Sequence, residues 1–127
     1  MAYLVATGHG VALVSLVAMN PQPRTDVPVR PVVRNESASG LIHDLGKFIE
    51  LQWSMIETPT QLTTLLAQFG LSATTTTNAV TIYVPNEVYA FTRYNGLARF
   101  PLQGVDIHRS DYFIRDLKIV VNKLEAL

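Results

Sequence analysis

The chain has 127 residues, one domain's worth and enough for a real core. Apolar residues make up 48% and charged residues 16%, against about 25% charged in a typical domain, and ten basic residues balance ten acidic ones. The neutral balance argues against sequence-independent nucleic-acid binding, the lack of cysteine excludes disulfides, thiolate catalysis and zinc–thiolate sites, and no apolar run approaches the ~20 residues of a membrane span.

In chain order, Tyr3 to Thr7 is a short β-rich run, and Gly8-His9-Gly10 reads as a tight turn because glycine reaches positive φ freely. Val11 to Met19 lacks the basic flank of a signal peptide and reads as a longer strand, apolar on both faces except at Ser15. The two runs predict a hairpin. Asn20 to Pro28 holds three prolines, which forbid a helix. This loop is either an ordinary exposed connection or an arm reaching a neighbour. Val29 to Arg34 is a strand with Pro31 pointing to a sheet edge, and Asn35 to Gly40 is a turn or bulge. Leu41 to His43 resumes the strand, Asp44-Leu45-Gly46 turns, and Lys47 to Ile56 alternates with Ile49, Leu51, Trp53 and Met55 on one face. Trp53 is expected to pack under the helix that follows.

That helix is the clearest element. Thr58 is an N-cap candidate, Pro59 takes the first helical position, and Gln61 completes a capping box. Leu62, Leu65, Leu66 and Phe69 form one stripe, and Gly70 supplies the left-handed C′ residue with Leu71 as its hydrophobic partner. Ser72 to Thr77 is a run of small residues that Asn78 can turn, and Ala79 to Val84 returns as a strand. Pro85-Asn86 breaks it. Val88 to Tyr94 is a strand, Asn95-Gly96 is the strongest hairpin signal in the chain, and Leu97 to Phe100 pairs back. Pro101 to Ser110 is a loop. Asp111 to Asn122 is a long closing strand with Leu117, Ile119 and Val121 sharing a face, and Lys123 to Leu127 is either a short tail or a continuation of that strand. The sum is a mostly β (α+β) fold spanning 1–127 as one domain, an antiparallel β-sandwich or barrel of about eight strands with one flanking helix near residues 59–69.

Chemistry is sparse. His43-Asp44 and Asp106-Ile107-His108 each set a carboxylate near an imidazole, and His9 sits in a third turn. Scattered over three turns, they read as solvated turn residues, with Asp106 and Asp111 satisfying local N–H groups. No G-x-S-x-G is present for a hydrolase. Ser37-Ala38-Ser39-Gly40 lacks the spacing and lysine of a phosphate cradle. Tyr83, Tyr89, Phe91, Tyr94 and Phe100 with Arg93 and Arg99 have the make-up of a base-stacking sheet, but two cations beside Glu87 fit core and interface packing better. We therefore expect no enzyme, and no catalytic, metal or cofactor residue. Low charge with zero net charge fits either a surface covered by other subunits or a poorly soluble monomer.

The order of features carries a resemblance. Ser39-Gly40, Asp44-Leu45-Gly46, a strand ending near Trp53, a capped helix with Leu65-Leu66 and Phe69-Gly70, then Tyr94-Asn95-Gly96-Leu97-Ala98 and a closing strand ending in Leu124-Glu125-Ala126-Leu127, together resemble the small β-sandwich virion proteins of tailed bacteriophages, most of all tail tube proteins. The resemblance covers most of the chain as a pattern of elements. It implies a structural homo-oligomer located in the virion and assembled in the host cytoplasm. Inner sheets of its rings would join into one barrel, and the rings would stack into a tube that DNA passes through without specific binding. A capsid decoration protein or a head–tail connector or minor tail protein, contacting other virion proteins, is the structural alternative. A non-catalytic binding module using Tyr89, Phe91 and Tyr94, and a small hydrolase using His43 or His108, are the readings from other classes.

Overall fold

A computed structural model describes residues 3–24, 28–36, 42–101, 108–109 and 114–127, with the backbone alone at 30–36, 42–45 and 108–109. The elements are β1 (Leu4–Thr7), β2 (Val17–Ala18), β3 (Arg30–Glu36), β4 (Ile42–Ile56), α1 (Pro59–Gln68), β5 (Thr77–Pro85), β6 (Phe91–Arg99), β7 (His108–Arg109) and β8 (Ile114–Ala126). All strand pairs are antiparallel, in the order β2-β1-β5-β6-β8-β4-β3, with β7 also pairing with β8. The expected mostly β, antiparallel fold is present. It takes the barrel side of the sandwich-or-barrel expectation, as one curled sheet forming a half-barrel. The curl is tied at one end, where the Val29 N–H donates to the Pro85 carbonyl at 2.9 Å and Lys47 pairs with Glu87 at 2.8 Å.

One core joins sheet and helix. It gathers Tyr3 and Val5 of the first strand region, Ile49, Leu51 and Trp53 of β4, Val80, Ile82 and Val84 of β5, Tyr94 and Ala98 of β6, and Leu117, Ile119 and Val121 of β8. Leu65 and Leu66 of α1 and Phe69 at its C-terminal cap enter the same cluster. Burying side chains of this size contributes about 1.5–3 kcal/mol each, which is why a ten-residue helix, marginal alone, is held here. Its ends form as their residues dictate. Thr58 Oγ1 accepts the Gln61 N–H at 3.2 Å, and the Gln61 amide oxygen reaches back to the Glu57 N–H at 3.1 Å. At the other end the Leu71 N–H donates to Leu66 and the Gly70 N–H to Ala67, a Schellman closure with Gly70 at φ +70°.

The remaining expectations divide. Gly8 and Gly10 do turn the chain at positive φ, and β3 is an edge strand, as Pro31 predicted. The closing strand runs on through the expected tail to Ala126. Trp53 is buried in the cluster that holds the helix, and its indole N–H donates to the Pro21 carbonyl at 2.8 Å. The described part of the proline-rich loop packs onto its own sheet: Gln22 bonds both the N–H and the carbonyl of Tyr3, and the Arg24 N–H donates to Gln52.

Five local expectations are corrected. Val11 to Met19 is not a strand apolar on two buried faces. It contains a 3-10 turn at Leu13–Ser15 and only two paired residues, Val17–Ala18, and Leu13, Val14 and Val17 are exposed. The β1–β2 hairpin survives as the pairs Leu4↔Ala18 and Val5↔Val17. Asp44-Leu45-Gly46 lies inside β4, where Gly46 takes φ +104° opposite the register shifts of β3. Asn78 lies inside β5, its side chain donating to the Phe69 carbonyl at 3.0 Å. Asn95-Gly96 lies inside β6, and the β5–β6 turn falls instead at 86–90, built by Asn86, whose side-chain oxygen accepts the Val88 and Ala90 N–H groups. Finally, Met55 leaves the face it was assigned and is exposed. In β4 and β8 alike, two exposed residues in a row (Ser54, Met55; Arg115, Asp116) separate buried Trp53 and Leu117 from buried Ile56 and Ile114, with no change of register. Both strands shift parity together, and Asp116 adopts φ +51° at that point.

Candidate functional site

Among the described residues, the sequence-predicted ionisable groups do not come together. His43 pairs in β3–β4 with Asn35, before the β4–β8 ladder begins at Ile49, whereas His108 pairs with Arg115 near that ladder's far end at Ile56. The two histidines therefore flank opposite ends of a strand pair. His9 lies elsewhere, its Nε2 2.9 Å from the Gly96 carbonyl; a carbonyl only accepts, so Nε2 carries the proton. Asp106, Asp111 and Ser37 to Gly40 lie outside the described residues. Among the described residues no three His, Asp or Glu side chains converge to hold a metal ion, and no helix is long and apolar enough to cross a membrane.

The aromatic set is divided by the sheet. Tyr94 faces the core, and burial raises its phenol above the usual value, with the Glu87 carboxylate adding to the effect. Phe91 is half-buried and packs edge-on to Tyr3, with centroids 5.6 Å apart, and against Tyr83 at 5.4 Å. Arg93 is committed to the Val11 carbonyl at 2.9 Å. Of the three residues proposed as a ligand platform, only Tyr89 projects, at 64% exposure with φ +61°. A non-glycine residue in that region is uncommon and is held there by the surrounding bonds. Asn86 supplies them, through its two side-chain acceptances, the Asn86 N–H to Ala90 bond and the Tyr89 N–H to Asn86 bond. Glu87, in the same turn, is bonded to Lys47, which holds its carboxyl below the usual carboxylate range.

Two surface features stand out. The first is a cleft of about 230 Å³ lined by Arg24, Gln52, Trp53, Ser54, Asp116, Leu117 and Lys118. It lies where β4 and β8 shift parity, and its lining joins the polar Gln52, Ser54, Asp116 and Lys118 to the buried Trp53 and Leu117. The second is the uncovered apolar segment beside β2, where Val14 is 95% exposed and Leu13 and Val17 accompany it. The sequence already flagged these residues as needing cover, as strand faces. The cleft had no sequence signal, since it depends on a parity shift shared by two strands far apart in the chain, paired as Trp53↔Leu117 and Ile56↔Ile114. The chain matches no protein family, no curated protein and no solved structure.

Proposed function

We propose that this protein is a non-enzymatic structural subunit that associates with copies of itself, and specifically a tail tube subunit of a tailed bacteriophage. The observation that carries the reading is the uncovered apolar segment: Leu13, Val14 and Val17 stand in solvent beside a two-residue edge strand. Val14, almost wholly exposed, gains about 1.5–3 kcal/mol if covered, the half-exposed Leu13 and Val17 gain less, and a neighbouring copy supplies that cover. The other edge is less suited to strand addition, because β3 carries Pro31, which has no N–H to offer, and the charged residues Arg30, Arg34 and Glu36. Low total charge and zero net charge support the same reading. The virion role itself rests on the resemblance in element order.

Light scattering and negative-stain electron microscopy of the purified protein test this. Rings or tubes are expected, and Val14→Asp is expected to dissolve them while leaving the thermal melt unchanged, since an exposed substitution shifts stability by about 0.5 kcal/mol or less. A monodisperse monomer at high concentration overturns the proposal.

A further inference from the structure

We propose that the Gln68 side chain is a latch on the β2 edge, so that the 11–19 segment of a second copy can add there as a strand only after Gln68 lets go. This goes beyond the self-association proposed above, which rests on the covering of side chains and not on backbone pairing.

The segment is suited to pairing with its own kind. Residues 11–19 hold neither a charge nor a proline, and three of the nine are valine. Short, uncharged apolar runs rich in β-branched residues are the ones that add to open sheet edges, identical copies above all. Among the described residues β2 ends the sheet order, and Val17 and Ala18 are both exposed. It has none of the guards of the opposite edge, where β3 carries Pro31 and three charged residues.

Two glutamine amides close β2 instead. The Met19 N–H donates to the Tyr3 carbonyl at 2.9 Å, so residue 19 faces β1 while the backbone groups of 18 and 20 face away. On the β1 side Gln22 extends the ladder, donating to the Met19 carbonyl at 2.7 Å and accepting the Tyr3 N–H at 2.7 Å. On the outer side Gln68 takes the groups a further strand would use. Its Nε2 donates to the Ala18 carbonyl and its Oε1 accepts the Asn20 N–H, both at 3.0 Å. One side chain thus satisfies a carbonyl and an N–H that would otherwise recruit a neighbouring backbone. Gln68 is the last residue of α1, and Leu65, Leu66 and Phe69 beside it are fixed in the core. A docked helix therefore delivers the amide, yet release needs only a rotation of the side chain. Two neutral hydrogen bonds are a modest hold, so the latch slows strand addition and does not forbid it.

The native chain and Gln68→Ala, compared at equal concentration, test the latch. Alanine is the best helix former, so α1 is kept while both bonds are lost. Light scattering and thioflavin fluorescence should grow at least about fivefold faster in the variant, the factor carried by one such bond, with circular dichroism unchanged. In dilute samples, before assembly, the Asn20 N–H should exchange with solvent faster than in the native chain. Adding Ala18→Lys puts a charge on the opened edge, outside the Leu13, Val14 and Val17 group, and should return growth to the native rate. Gln68→Met keeps the side chain's length without its amide, should match Gln68→Ala, and stands in for it if that variant fails to fold. Native growth rates or unchanged Asn20 exchange in the Gln68 variants overturn the latch, as does a gain that survives Ala18→Lys. A native chain that stays monomeric while Gln68→Ala forms sheet-rich assemblies supports the latch and overturns the function proposed above.

Discussion

Gly96 of β6 lies directly against Leu124 of β8. A Cβ built on Gly96 would stand 2.6 Å from Leu124 Cδ2 and the same distance from Val121 Cγ1. The approach is this close because β8 gains a residue here: the pairing slips between Asn95↔Glu125 and Leu97↔Asn122, and Lys123 takes φ +54°. Gly96 serves close packing, and its backbone is ordinary extended strand. Gly96→Ala should therefore destabilise by overpacking, by about 1–3 kcal/mol, read as a lower urea midpoint with an unchanged slope. A glycine in a type I′ turn would instead be sensitive through positive φ.

The cap of α1 predicts a graded pair. Thr58→Ala removes the acceptor of the Gln61 N–H and should cost about 1 kcal/mol, with Thr58→Ser close to neutral. Chemical denaturation of the two variants checks this. Gly70→Ala should cost more than Thr58→Ala, since φ is +70° and the new methyl would collide with the Asn78 side chain.

Trp53 reports on its own environment. Trp53→Phe keeps the ring in the core and loses the bond to the Pro21 carbonyl, so a loss of about 0.5–1.5 kcal/mol is expected. The measurement is a denaturant melt followed by far-ultraviolet circular dichroism, because the only tryptophan is then gone.

The turn and the core respond to opposite ends of the pH scale. Glu87 is held below its usual range chiefly by its hydrogen bond to Lys47, so the folded state binds that proton less tightly than the unfolded chain. Its small contribution is present above the ordinary glutamate value of about 4.3 and is lost as pH falls through the folded-state value. Lys47→Met should move the Glu87 carboxyl upward in an NMR titration; no movement would detach the pair from the shift. The pair is exposed, so its effect on stability should stay within about 0–1 kcal/mol.

Tyr94 has the opposite sign. Burial raises its phenol, so the folded state holds the proton more tightly. That stabilisation is complete below the ordinary tyrosine value of about 10 and is lost as pH rises through the folded-state value. Tyr94→Phe should flatten the alkaline limb of the stability curve measured in urea.

What could be read from residue order was what local bonds decide. The helix was legible at both ends because Thr58, Gln61, Gly70 and Leu71 act on backbone groups within a few positions of themselves. Pro31 gave the edge because a missing N–H disqualifies a central strand. Asn95-Gly96 misled because its chemistry is used at long range: the Asn95 side-chain oxygen accepts the Gly10 N–H at 2.7 Å and faces the Thr81 hydroxyl at 3.3 Å, while Gly96 makes room for β8. Asn78 misled for the same reason, its amide closing the carbonyl end of α1. Met55 was assigned inward by strict alternation, which fails where β4 and β8 change parity together. Of the candidate interface, the apolar residues of the 11–17 segment were visible in sequence but not their shape. The cleft was invisible because β8 supplies half of its wall.

The place of β8 in the sheet order sets a timetable for synthesis. β8 lies between β6 and β4, so among the described residues it joins two parts that otherwise share no ladder. While the ribosome has released only residues up to Ser110, β5 can zip to β6 and β1 to β5, but β4 has only β3 beside it and Ile49, Leu51 and Trp53 wait uncovered by Leu117, Ile119 and Val121. Nascent chains are therefore expected to be prone to clump just before β8 emerges, and a stop codon there leaves two half-sheets without the seam that unites them.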